Sequence, residues 1–233
     1  MPDTKKLFDL QVVDIELDTR NARLTEIAAR LGDESILEPL RGDVVRFKAE
    51  VVTASAGQAE LDDAITGFTG RIDEAEEKLY SGRITLSREL QDLQADINMI
   101  KRQRGEQEDL LLEALDVLEQ AQVRLDDATR LLDRGGETWL TDQEAMSAER
   151  VVLQGEVAEL QSQRDTRAAS VPGTELALYE HVRETHNGMA VAKMRAGTCE
   201  SCRVALPTGQ VASVRSAPSP VKCPSCGLIL LAV

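Results

Sequence analysis

From Leu86 to Leu132, apolar residues return at steps of three and four: Leu90, Leu93, Ile97, Ile100, Leu111, Ala114, Leu118, Ala121, Leu125, Ala128 and Leu132. Arg104 and Gln107 are the polar interruptions, and no proline falls in the stretch. A 3.5-residue repeat sustained over about six heptads lays a narrow apolar seam along one helix, and that seam requires a partner helix with a matching one. The same chain supplies it. Leu40, Val44, Phe47, Val51, Ala54, Leu61, Ile65, Phe68, Ile72, Ala75 and Leu79 form a second seam, interrupted by Gln58. Tyr80-Ser81-Gly82-Arg83 ends it, and Thr85 or Ser87 then offers an N-cap for the next helix. Two seamed helices joined by so short a connection fold back antiparallel.

An earlier seam carries Leu10, Leu17, Leu24 and Leu31 at intervals of seven before Gly32, Asp33 and Pro39 interrupt it. On the returning strand, Arg134-Gly135-Gly136 falls at nearly the same level. Thr141-Asp142-Gln143-Glu144 then reads as a capping box, followed by Met146, Leu153 and Leu160 at intervals of seven, with Trp139 at the joint. The pattern predicts a hairpin over residues 1–170, with its tip near 80–85 and a joint near 32–39 and 134–138. A linker and short helix over 171–188 and a separate module over 189–233 complete the chain. Mirroring the strands about Arg83 sets Gln58 level with Gln107, and Asp62 and Asp63 level with Arg104, a polar layer that pins the register.

Composition supports a helical rod. Only 3% of residues are aromatic, 29% are charged, and the net charge is −14, too few large side chains for a globular core of 233 residues. The longest apolar run is the closing LILLAV, too short to cross a bilayer, so a soluble, cytoplasmic protein without a membrane partner is expected. There is no glycine-rich phosphate loop, no nucleophile elbow and no carboxylate pair with a pocket around it. A non-enzymatic protein without a small-molecule substrate is expected.

All four cysteines lie in the last module, as Cys199-x-x-Cys202 and Cys223-x-x-Cys226 with twenty residues between the pairs. Each pair makes a tight knuckle with both thiolates on one side, and two knuckles complete a tetrahedron, the arrangement of a zinc ribbon. Gly197 and Gly227 supply backbone freedom beside the knuckles. A module of this size buries too little apolar surface to fold alone, so one structural Zn2+ supplies folding free energy. A redox dithiol would need a βαβ framework, and a catalytic zinc would need an open position that four cysteines close. The expected fold class is therefore mainly α: a long antiparallel coiled-coil hairpin carrying a small C-terminal β zinc ribbon.

Two motifs resemble a known family. Leu79-Tyr80-Ser81-Gly82-Arg83-Ile84, followed by Ser87-Arg88-Glu89-Leu90-Gln91-Asp92-Leu93-Gln94, is similar to the hairpin-tip signature of bacterial C4-type zinc-ribbon proteins with a long coiled-coil hairpin. Gly197-Thr198-Cys199-Glu200-Ser201-Cys202, Ala205-Leu206-Pro207 and Cys223-Pro224-Ser225-Cys226-Gly227-Leu228-Ile229-Leu230 resemble its ribbon signature. The resemblance spans nearly the whole chain. It implies a nucleic-acid-binding or adaptor protein, and relatives in motile bacteria are linked to flagellar assembly.

Two functions follow from the residues. The module carries Lys193, Arg195, Arg203, Arg215 and Lys222 against Glu200 alone, +4 within a chain of −14, which leaves −18 elsewhere. These cations suit DNA or RNA phosphates. Four thiolates on Zn2+ reduce the module to +2, and with no Phe, Tyr or Trp in it, binding is expected to be modest and salt-sensitive. The alternative is a protein–protein adaptor or chaperone-like scaffold, with Tyr80, Ser81, Gly82 and Arg83 as the tip contact and the ribbon as the other. His181 and His186, five apart, do not share a helix face and read as solvent-exposed.

Overall fold

The computed structural model describes residues 4–233. Helices α1 (Thr4–Arg30), α2 (Glu38–Tyr80) and α3 (Ser87–Ala169) are followed by α4 (Gly173–Thr185), strands β1 (Val191–Arg195) and β2 (Thr198–Cys199), helix α5 (Thr208–Ser216) and strand β3 (Ile229–Ala232). The chain forms two compact units: the residues up to Asp33 together with Asp142–Val233, and Glu34–Thr141.

The unit of Glu34–Thr141 pairs α2 with the first part of α3. Every apolar residue of both seams, from Leu40 to Leu79 and from Leu90 to Leu132, is buried or half-buried, and Ile72, Ile97, Ile100, Ala121 and Ala128 are fully buried. The register differs from the mirrored one. Lys101 pairs with Glu76 at 2.6 Å, Arg124 with Glu50 at 3.1 Å, and Gly135 lies against Leu37 and Leu40. Interpolating between these contacts sets Gln58 and Gln107 roughly two to three helical turns apart. Arg104 pairs with Glu108 of its own helix at 3.1 Å, so the expected polar layer does not form. The reason is the tip. Its loop runs through residues 81–86 and is centred close to Arg83, so the offset reflects the loop's path, which does not return symmetrically, and not the position of its midpoint.

The break expected at Arg134-Gly135-Gly136 is absent, because α3 runs unbroken from Ser87 to Ala169. A glycine inside a helix costs only about 1 kcal/mol, which the flanking turns absorb. Gly135 serves packing: a Cβ there would lie 2.8 Å from Leu40 Cδ1. The capping box does not form either, since Thr141 Oγ1 bonds back to the Glu137 carbonyl at 3.0 Å within the helix. Only the outgoing strand is interrupted, by Gly32 at φ 79° and a 3-10 turn over Ser35–Leu37. Pro39 then sits in the first turn of α2, where a missing N–H costs nothing. Gln143 closes the end of α1, accepting from Gly32 N–H at 2.8 Å and donating to the Arg30 carbonyl at 3.2 Å.

In the other unit, α1 pairs with the last part of α3 through Val13, Leu17 and Leu160, with Arg20–Glu156 at 3.1 Å and Arg23–Glu149 at 2.8 Å alongside. The three-stranded sheet has the order β2-β1-β3, with β1 antiparallel to β2 and parallel to β3. Its core is shared with helices: Leu7 and Leu10 of α1 and Tyr179 and Val182 of α4 pack with Val191, Met194, Ile229 and Leu230. The ribbon therefore folds against the base of the coiled coil. Within the closing LILLAV, Ile229–Ala232 is a strand packed on that core.

Candidate metal centre

The turn between β1 and β2 is Ala196-Gly197, with φ of 50° and 76°, the two-residue turn whose twist suits a hairpin. Gly197 thus serves the hairpin and not the first knuckle, which corrects the reading from spacing. The two knuckles share one bonding scheme. In the first, Cys199 N–H donates to the Val204 carbonyl at 3.0 Å and Arg203 N–H to the Cys199 carbonyl at 2.8 Å. In the second, Cys223 N–H donates to Leu228 at 2.8 Å and Gly227 N–H to Cys223 at 2.9 Å. Each knuckle ends in a left-handed residue, Arg203 at φ 62° and Gly227 at φ 74°.

The four sulfurs lie within 4.8 Å of one another, with Cys199–Cys226 at 3.9 Å and Cys202–Cys223 at 3.7 Å. A tetrahedron with Zn–S bonds of about 2.3 Å has edges of about 3.8 Å, so the donor set fits zinc. Cys199 and Cys223 are buried, and Cys202 and Cys226 half-buried. Burial pushes the Cys199 and Cys226 thiols up, while the Val204 backbone N–H holds the Cys202 thiol low. Backbone N–H groups of Ser201 and Cys202 act on Cys199, and that of Leu228 on Cys226, both favouring thiolate. Cys199, Cys202, Cys223 and Cys226 hold one structural Zn2+, a closed shell that leaves no position for water.

The five cations separate into two sets. Lys193 Nζ lies 4.7 Å from the centroid of the Phe8 ring, and Arg195 pairs with Glu200 at 3.2 Å. Arg203, Arg215 and Lys222 are exposed and make no ion pair among the described residues. At the tip, Ser81 Oγ donates to the Lys78 carbonyl and accepts from Arg83 N–H, Gly82 has φ 72°, and Tyr80 is 79% exposed.

His181 is exposed, as expected, but His186 is not a free surface residue. It is half-buried, and its Nε2 lies 3.2 Å from where a Cβ on Gly227 would sit. Its Nδ1 lies 2.8 Å from the Val182 carbonyl and 2.9 Å from Thr185 Oγ1. Sequence reasoning also missed the polar groups that hold the ribbon's base. Gln11 Oε1 accepts from Ala190 N–H and Val191 N–H at 2.6 Å each, and Nε2 donates to the Val191 carbonyl at 2.9 Å. Asp14, 1% exposed, accepts from Tyr179 OH and Arg164 Nε at 2.6 Å each. Arg164 also meets Glu180, and Arg183 pairs with Asp18 at 2.6 Å. The signal was the spacing: Asp14 stands between Leu10 and Leu17 at steps of four and three, a polar residue on a seam.

Residues 10–187 match the CT398-like coiled coil hairpin domain, and residues 198–230 match the C4-type zinc ribbon domain. The uncharacterized protein Rv2229c of Mycobacterium tuberculosis is 25% identical over 97% of this chain and 94% of its own length. A solved structure from Mycobacterium smegmatis aligns at TM-score 0.62 and 22% identity, covering 98% of this chain and 97% of that one. CT398 from Chlamydia trachomatis aligns at TM-score 0.59 and 18% identity, with coverage of 98% and 97%. With hairpin, knuckles and domain order all in agreement, the chain belongs to the CT398-like coiled-coil hairpin family, its C-terminal end a C4-type zinc ribbon.

Proposed function

We propose that the protein is non-enzymatic and binds nucleic acid through the exposed cations of its zinc ribbon, the coiled coil serving as a spacer. The observation that carries this reading is that Arg203, Arg215 and Lys222 make no ion pair among the described residues, in a module of opposite charge to the rest of the chain. Lys193 and Arg195 are already engaged with Phe8 and Glu200, so three phosphate contacts set the scale. Three contacts correspond to a slope of log K against log salt of about −2.7 on duplex DNA and about −2 on single strands. The test is titration of the zinc-loaded protein against labelled single-stranded RNA and duplex DNA, at low and near-physiological salt. A variant with Arg203→Glu, Arg215→Glu and Lys222→Glu should lose binding. No binding by the unmodified protein at low salt would sink this reading.

A second reading, a protein adaptor, is favoured by the tip. Tyr80 and Leu86 are 79% and 61% exposed, and the groove beside them is lined by Glu74, Lys78, Arg83, Ile84 and Leu93. Exposed apolar groups such as Tyr80 and Leu86, at the hairpin tip and outside the seam, suit a protein contact. Loss of a partner on Tyr80→Ala, with nucleic-acid affinity unchanged, would favour it.

A further inference from the structure

We infer that Arg203 is the ribbon's phosphate anchor, the residue through which the first knuckle meets the nucleic-acid backbone; this rests on the nucleic-acid reading above. The two knuckles repeat the same backbone hydrogen bonds, and both end in the left-handed region. In the second knuckle that position is Gly227, where φ is 74° and His186 crowds the place a side chain would take. In the first, the same position holds an arginine at φ 62°. A left-handed arginine strains the turn that it closes, since Cβ crowds the following carbonyl. Arg203 is exposed and has no ion pair among the described residues, so no ion pair within the described residues offsets that strain. Arg195, by contrast, is held by Glu200. Beside Arg203, Val204 is 42% exposed, so the knuckle's end is open on both residues. A guanidinium with its fork of donors matches phosphate oxygens better than any other cationic side chain. The second knuckle is covered by His186, just past α4, and the first presents a left-handed arginine with no ion pair among the described residues.

The inference predicts that stability and binding separate at this one position. In the full-length, zinc-loaded protein, Arg203→Gly should retain zinc and unfold at the same or a higher temperature. It should bind labelled RNA and duplex DNA more weakly, with the salt slope reduced in magnitude by about 1. Arg203→Gln, which removes the charge and keeps the strain, should lose the same affinity. Wild-type affinity and slope in either variant would overturn the inference. If that result accompanies weakened binding by Arg215→Glu with Lys222→Glu, the anchor assignment fails and the nucleic-acid reading stands. If the unmodified protein binds neither probe at low salt, both fail.

Discussion

Gln11 is a single side chain that holds three backbone groups at the start of β1. Gln11→Leu keeps similar bulk but leaves two buried N–H groups and a carbonyl unpaired, at a cost of about 2–4 kcal/mol in urea unfolding. Tyr179, fully buried, has its phenol pushed well above the ordinary tyrosine range by burial first and then by its bond to Asp14. A raised folded-state value means that the neutral phenol stabilises the fold below the unfolded tyrosine's pKa of about 10, and that this stabilisation is lost as pH rises above it. Thermal melts should hold up to about pH 10 and fall off above it for the wild type, and less steeply for Tyr179→Phe. His186 covers the second knuckle at Gly227. His186→Ala should speed zinc transfer to a competing chelator several-fold, whereas His181→Ala, at an exposed site, should not; equal rates for the two would refute this role for His186.

At the scale of elements, the glycines of α3 separate helix propensity from packing. Gly136→Ala meets nothing within 4 Å and should stabilise by about 0.5–1 kcal/mol. Gly135→Ala meets Leu40 Cδ1 at 2.8 Å, a methyl that must shift, so the gain expected at Gly136 should be reduced or lost there, measured by chemical denaturation. The seams were legible residue by residue because a 3.5-residue period leaves one buried stripe whatever the partner does. The register was not legible. It depends on the path of the loop through residues 81–86, which a mirror drawn through Arg83 takes to be symmetric. The supposed break at Gly135-Gly136 failed for a related reason: glycine weakens a helix locally, and only the tertiary packing shows that a Cβ at Gly135 would crowd Leu40.

For the whole molecule, zinc and coiled coil carry separate parts of the stability. Chelation of zinc should unfold β1, β2, α5 and β3, while the ellipticity of α2 and α3 largely persists, because Glu34–Thr141 forms its own compact unit. Complete loss of helical signal on chelation would contradict this separation. No helix among the described residues is long and apolar enough to cross a membrane. The sequence alone determined the seams, the four zinc ligands, the separation of charge and the order of the parts, because period, cysteine spacing and composition are properties of neighbours along the chain. The tertiary structure alone decided the register of the hairpin, the continuity of α3, the burial of Gln11 and Asp14, the place of His186 over Gly227, and which cations remain free. Each of these depends on groups far apart in sequence competing for the same space or the same hydrogen bond, and no local pattern records how that competition ends.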